Sequence, residues 1–174
     1  MRSKNKIVQI GEILHIYIMH KGVEFVALVN SRHRELVERH KWRSYDGYVF
    51  TSIRTYDGQT KEYLHRMLLG LLHNDSQKVD HIDCNGLNNL DSNIRVCTTQ
   101  QNGQNSRIPK NNTSGVKGVS WNKRMNKWQA IINFGNEFGI SINTHLGYFT
   151  DIADAEAAVL KARAESHGEY ARNE

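Results

Sequence analysis

Val79-Asp80-His81-Ile82-Asp83, followed by Asn85, Asn88-Asn89, Asn93 and then Ile94-Arg95-Val96-Cys97-Thr98, is the stretch on which the reading of this chain turns. Val79 to Ile82 reads as a short strand, Asp83 to Ser92 as an Asn/Gly-rich loop and Ile94 to Thr98 as a second strand. A helix carrying Asn102 starts at Thr99. A histidine flanked by carboxylates and trailed by spaced carboxamides is poor material for a core. It suits a site that holds a hard divalent cation beside a general base. Asp80 and an asparagine carbonyl supply oxygen ligands, and a neutral imidazole takes a proton from water near neutral pH. Asn85, Asn88 and Asn89 are expected to make turns and local backbone hydrogen bonds. Asp75, Asp83 and Asp91 read as surface or capping residues.

Upstream, apolar runs around Ile13, Ile16 and Ile18 and from Phe25 to Val29, broken at Lys21-Gly22, predict two strands. Ser31 is placed to cap a short helix running to His40, with Leu36 and Val37 inward. Trp42 anchors a hairpin in which Tyr48 to Ile53 is a strand and Asp57-Gly58 a turn. Leu64, Met67, Leu68, Leu71 and Leu72 recur at helical spacing, which predicts an amphipathic helix over about 61–73.

Downstream, the only proline, Pro109, sits in the polar, breaker-rich run Ser106 to Gly115, which marks a domain boundary. Beyond it Val116–Trp121, Lys127–Phe134 and Ile140–Tyr148 read as three strands. An alanine-rich helix follows from Asp151 to His167 and is closed by Gly168. Leu146, Tyr148 and Phe149 are expected in the core of this part.

The chain has 174 residues, room for one modest core or two small ones. Lys+Arg total 23 against Asp+Glu 18, a net charge of +5. Its distribution is more telling. No acidic residue lies between Asp91 and Glu137, while Arg95, Arg107, Lys110, Lys117, Lys123, Arg124 and Lys127 all do. A long segment of one sign, carrying Trp121 and Trp128, is the footprint expected for phosphate binding. The two cysteines, Cys84 and Cys97, form no CxxC pair, which excludes a four-thiolate zinc site within one chain. No apolar run approaches the length of a membrane span. The basic start is followed by a stretch containing Gln9, Glu12 and His15 rather than a signal-peptide core, so a cytoplasmic, intracellular location is expected.

Residues 79–105 resemble the HNH nuclease motif, whose strand–loop–strand–helix order is the ββα-metal element, in a variant with Asn102 at the last position. The resemblance implies a metal-dependent DNA endonuclease of phage homing type. By position, His81 is the general base and Asp80 and Asn102 are the metal ligands. Asn93 braces the loop, and Arg95 steadies a phosphate or the loop. An asparagine ligand favours Mg²⁺ or Mn²⁺ over softer metals. Leu64-His65-Arg66-Met67 resembles a segment that often precedes the motif in phage enzymes. It places His65 or Arg66 either against DNA or as a support between helix and ββα element. The series Gly118-Val119-Ser120-Trp121, Lys127-Trp128 and Leu146-Gly147-Tyr148-Phe149 resembles the APETALA/ethylene-response-factor DNA-binding domain. That likeness places Trp121, Lys123, Arg124, Lys127 and Trp128 against double-stranded DNA, with Lys117 on phosphate.

The expected fold is α+β: a β-rich N-terminal region with a ββα element at about 78–106, then a three-stranded antiparallel sheet packed on one helix. The expected domains are 1–108, an HNH endonuclease, and 109–174, a DNA-binding domain. The chain would act as a monomer, nicking one strand, or as a homodimer cutting both. A non-catalytic DNA-binding regulator with a degenerate nuclease core is the rival reading. The role of residues 1–60 beyond forming a sheet stays open between a solvated charged helix and an extension of the DNA groove through Arg32, Arg34, Arg39, Lys41 and Arg43.

Overall fold

The computed structural model describes residues 4–56, 58–71, 75–135 and 140–173. The chain divides into two compact units, Met1–Val96 and Cys97–Glu174, and its class is α+β, with several small sheets and no closed barrel among the described residues.

The first unit opens with a meander of β1 (Lys6–Ile10), β2 (Ile13–His20) and β3 (Val23–Asn30). The sequence predicts only the last two. β1 is half-solvated, its isoleucines and valine mixed with Lys6 and Gln9, so it lacks a clear apolar run. In β2 the alternate residues Leu14, Ile16 and Ile18 are buried, the period-2 pattern of a strand with one face on a core. Lys21 and Gly22 both take positive φ, 50° and 80°, as a two-residue hairpin turn requires. Asp46-Gly47 repeats the device, at 51° and 78°, between β4 (Arg43–Tyr45) and β5 (Tyr48–Thr55). With β6 (Gly58–Tyr63) these strands form a second antiparallel sheet; Asp57 of the expected turn lies outside the described residues.

Ser31 does not cap a helix. It lies in a 3₁₀ turn, Ser31–His33, ahead of α1 (Arg34–Arg39), and no side chain caps either. Trp42 is 1% exposed, its indole N–H donating to the Val37 carbonyl at 2.9 Å. It packs with Val37, Val49, Leu64 and the inner residues of β2 and β3 as one core. The helix expected over 61–73 is shorter: Lys61 to Tyr63 belong to β6, paired with β5 through Phe50↔Tyr63 and Thr51↔Glu62. Only Leu64–Leu68 is helical, α2. The 3.6-residue spacing starts at Leu64, and the ladder claims everything before it. Leu72 and His73 lie outside the described residues. β7 (Lys78–His81) then pairs with β9 (Ile94–Cys97), and between them β8 (Asn88–Asn89) adds to the edge of β3 in parallel.

In the second unit Thr98 caps α3 (Thr99–Gln104) through a capping box with Gln101. β10 (Val119–Asn122), β11 (Lys127–Gly135) and β12 (Ser141–Phe149) form an antiparallel sheet. It packs on α4 (Ile152–Ser166), which is capped by Asp151, with Ala155 and Val159 buried against Val119 and Ala130. Small helix residues allow that close approach. Tyr148 is not in this core but 36% exposed. The register slips at Leu146, since Ala130 faces Gly147 while Ile131 faces His145. That bulge lets Leu146 and Phe149 both pack against the core, while Tyr148 turns outward. No helix among the described residues is long and apolar enough to cross a membrane.

Candidate active site

Asp80 and His81 end β7, and both are 5% exposed. Neighbouring strand residues point to opposite faces, and these two have separate surroundings. Asp80 meets β9: Arg95 donates to its Oδ2 from Nε at 3.3 Å and from Nη2 at 3.1 Å. His81 enters a box of rings. Its centroid lies 4.9 Å from that of His65, edge-on, and 5.8 Å from that of Tyr48.

Asn89 sets the orientation of the His81 ring. His81 Nε2 is 3.2 Å from Asn89 Oδ1, while Asn89 Nδ2 donates to the Gly86 carbonyl at 3.3 Å. A carboxamide oxygen only accepts, so the proton sits on Nε2 and the lone pair on Nδ1. Burial lowers the His81 pKa; the Asn89 bond and the charges of Asp83 and Asp80 work against that fall. The imidazole is thus neutral at neutral pH.

The loop after β7 is tied by Asn93, itself buried. Its Nδ2 donates to Asp83 Oδ1 at 2.9 Å and to the Asn88 carbonyl at 2.7 Å, and its Oδ1 accepts from the Asp83 N–H at 3.1 Å. Asp83 also accepts from Asn88 Nδ2 and from the Asn85 N–H, each at 2.8 Å. Burial pushes its carboxyl up, but these donors together outweigh it and hold the pKa below the usual carboxylate value. Gly86 seats this loop on the Asp46-Gly47 turn. A β-carbon there would stand 2.5 Å from the Gly47 carbonyl oxygen and 2.8 Å from the Tyr48 ring.

His65 and Arg66, on α2, act as supports. Arg66 donates to the carbonyls of Gln77 at 2.7 Å and Asp75 at 2.9 Å, the approach to β7. His65 stacks on Tyr63 at 5.6 Å and is 8% exposed. Its pKa is pushed down to about 3 from 6.5, first by burial, then by the charges of His81 and Arg66. Between those two values the unfolded chain binds a proton that the folded one refuses. Stability is therefore whole above about pH 6.5 and is lost as pH falls towards about 3. His65→Leu is expected to flatten that acid limb in a profile of Tm against pH. A profile identical to wild type would remove His65 as its source.

Sequence reasoning missed Tyr48, Tyr63 and the orienting role of Asn89. Asn88-Asn89 was legible as a pair of turn formers, but nothing local marks one of them as a partner of His81. Asn102 lies exposed on α3, in the second unit. Cys84 and Cys97 are not joined in a disulfide.

Among the residues expected at DNA, Trp121 and Trp128 are cross-strand partners, with centroids 5.0 Å apart and edge-on. Trp128 packs on the core of the unit, and Trp121 is 41% exposed. Lys123 and Arg124 are exposed at the β10–β11 turn, and Lys127 is half-buried. Lys117 turns to its own backbone, its ammonium donating to the carbonyls of Gln104 at 2.7 Å and Ser106 at 2.5 Å.

Among the described residues no three His, Cys, Asp or Glu side chains gather into a metal cluster. The donors around the strand pair are a carboxylate and carboxamides, hard oxygen groups. Groups of this kind are the ones a hard cation such as Mg²⁺ takes as ligands, and here the Asp80 carboxylate is engaged by Arg95.

Fold and site together define an α+β protein whose first unit carries, on successive residues of a short strand pair, a buried carboxylate and an imidazole aligned by a carboxamide. The chain is 34% identical over 94 residues to protein 3.8 of Escherichia phage T7, a match covering 54% of this chain and 73% of that protein. It belongs to the family of that phage protein. It is also 32% identical over 118 residues to an Acanthamoeba polyphaga mimivirus protein named as an uncharacterized HNH endonuclease. That match takes in 65% of this chain and spans 60% of the mimivirus protein's length. No family model and no solved structure matches the chain.

Proposed function

We propose that the protein is a metal-dependent DNA endonuclease of HNH type that hydrolyses phosphodiester bonds. The observation that carries this reading is the buried His81 ring, held by Asn89 with its lone pair on Nδ1, one residue after the buried carboxylate of Asp80 on β7. The name of the mimivirus relative supports the same class.

His81 Nδ1 takes a proton from the attacking water, whose oxygen bonds to phosphorus as the bond from phosphorus to the 3′ oxygen breaks. Asp80 would hold the cation through its carboxylate, and Asn102, by its place in the motif alone, would supply a carboxamide oxygen. A bound Mg²⁺ or Mn²⁺ would neutralise charge on the scissile phosphate and on the leaving 3′ oxygen. Asn93 keeps the loop closed behind His81, and Arg95 steadies Asp80. In this proposal residues 1–108 form the nuclease domain and 109–174 position the DNA through Trp121, Lys123, Arg124, Lys127 and Trp128. Lys117, already bonded to two carbonyls, contributes least. One site per chain nicks one strand, so a double-strand break needs two chains or two events.

Supercoiled plasmid incubated with the protein is expected to convert to nicked circles in Mg²⁺ or Mn²⁺ and to stay supercoiled in EDTA. Plasmid left supercoiled in both metals, with salt-sensitive binding intact, would replace this reading with that of a non-catalytic DNA-binding regulator.

A further inference from the structure

Two groups of cations on the first unit differ in what they face. On and beside α1, Arg34 pairs with Glu38 at 2.5 Å, Arg39 with Glu35, and Arg32 with Asp91 at 2.8 Å. Their charge is spent on the protein's own carboxylates, which leaves little for a polyanion. Lys6, Lys41, Arg43 and Lys61 are different: all are exposed, and none has a carboxylate partner among the described residues. These four, with Lys4, line one groove of about 460 Å³ on the same unit, where Glu24 is the single carboxylate.

The groove holds its ammonium groups in place. Lys6 Nζ lies 4.8 Å over the Tyr17 ring, and Lys61 Nζ lies 5.2 Å over Tyr45 and 5.1 Å over Phe50. Such contacts fix a lysine without cancelling its charge. Arg43 is likewise aimed by a neutral partner, donating to Ser52 Oγ at 2.9 Å. Because the rings already carry ammonium groups on their faces, the groove favours phosphate over a stacked base. It also adjoins the candidate site through β5. Phe50 lines the groove while Tyr48, two residues earlier on the same strand, touches His81. Residues i and i+2 of a strand share a face about 7 Å apart.

We propose that this groove is a docking track for the sugar–phosphate backbone of double-stranded DNA, contacted independently of sequence by Lys6, Lys41, Arg43 and Lys61. The proposal rests on the reading of DNA as the substrate. It gives the N-terminal sheets a function of their own: they hold the duplex that the β7 site cuts. It also moves the binding surface of this unit off the α1 arginines and onto the β1, β4 and β6 side chains.

The test is binding of a short fluorescent duplex in EDTA, by anisotropy at several salt concentrations, to the full chain and to Lys41→Gln/Arg43→Gln/Lys61→Gln. Each lost phosphate contact removes about 0.9 from the slope of log affinity against log salt, so the triple variant should be shallower by about 2–3. A double variant, Lys41→Gln/Arg43→Gln, leaves both ring contacts of Lys61 intact and should be shallower by about 2. It decides the matter if the triple variant melts early. Unchanged slope and affinity in the double variant would overturn the track, as would a deficit seen only with single-stranded DNA. Plasmid cleavage in Mg²⁺ is scored separately. Cutting by wild type with unchanged slopes in the variants sinks the track alone, and groove-dependent binding without cutting sinks the nuclease alone.

Discussion

His81→Ala is expected to slow plasmid cleavage about 10²–10⁴-fold, the contribution a positioned general base makes, while duplex binding in EDTA stays at the wild-type level. The size follows from the geometry. Asn89 fixes which ring nitrogen keeps its lone pair, and burial keeps that nitrogen unprotonated, so no other group near β7 offers the same base in the same place. Removing the ring also empties part of the box formed with Tyr48 and His65. A melting curve must therefore accompany the rate. Free imidazole added to His81→Ala separates the two effects, since it can restore a missing base but not a missing fold. Cleavage by His81→Ala within tenfold of wild type would sink the assignment. A folded variant that neither cuts nor regains activity with imidazole would leave His81 as a support for the ring box only.

The strand–loop–strand–helix run could be read because each of its signals is local. Val79 to His81 and Ile94 to Cys97 have strand character, Asn and Gly fill the loop, and Thr98 with Gln101 closes a capping box three residues apart. Asn93 could be read as a brace for the same reason, its partners Asp83 and Asn88 lying within the loop it closes. The box around His81 could not. Tyr48 comes from β5, Tyr63 from the end of β6 and His65 from α2, and only tertiary packing brings them to one ring. The overlong helix at 61–73 fails for a related reason. Its leucines have helical spacing, but Lys61, Glu62 and Tyr63 just ahead of Leu64 are held by a ladder to Ser52, Thr51 and Phe50 of the neighbouring strand β5. Tyr148 fails because adjacent strand residues face opposite ways: with Phe149 inward and a one-residue bulge bringing Leu146 inward too, Tyr148 is left outside. In the N-terminal region the charge count was legible but its division was not. Whether an arginine faces Glu38 or open solvent is a property of the folded surface.

Arg95→Met is expected to destabilise the protein by about 3–5 kcal/mol, the usual effect of removing one partner from a buried ion pair. Methionine keeps much of the volume of the stem, so the loss reports the charge rather than a cavity. Asp80 is buried and Arg95 largely so, their side chains 6% and 13% exposed, and the guanidinium donates to Asp80 Oδ2 from Nε and Nη2. In a chain of this length the drop corresponds to a Tm lower by roughly 10 °C. The informative part is its response to metal. If Asp80 is the carboxylate ligand, a divalent cation takes over the role of the lost guanidinium. Mg²⁺ should then raise the Tm of Arg95→Met more than that of wild type, because binding only the folded state stabilises it. Asp80→Asn/Arg95→Met removes both charges, should recover much of the stability, and should lose the extra response to Mg²⁺. Equal Mg²⁺ shifts in wild type, Arg95→Met and the double variant would show that Asp80 serves the ion pair alone. The metal would then have to be held by other groups. A wild-type Tm in Arg95→Met would deny the ion pair its structural role, whatever the metal does.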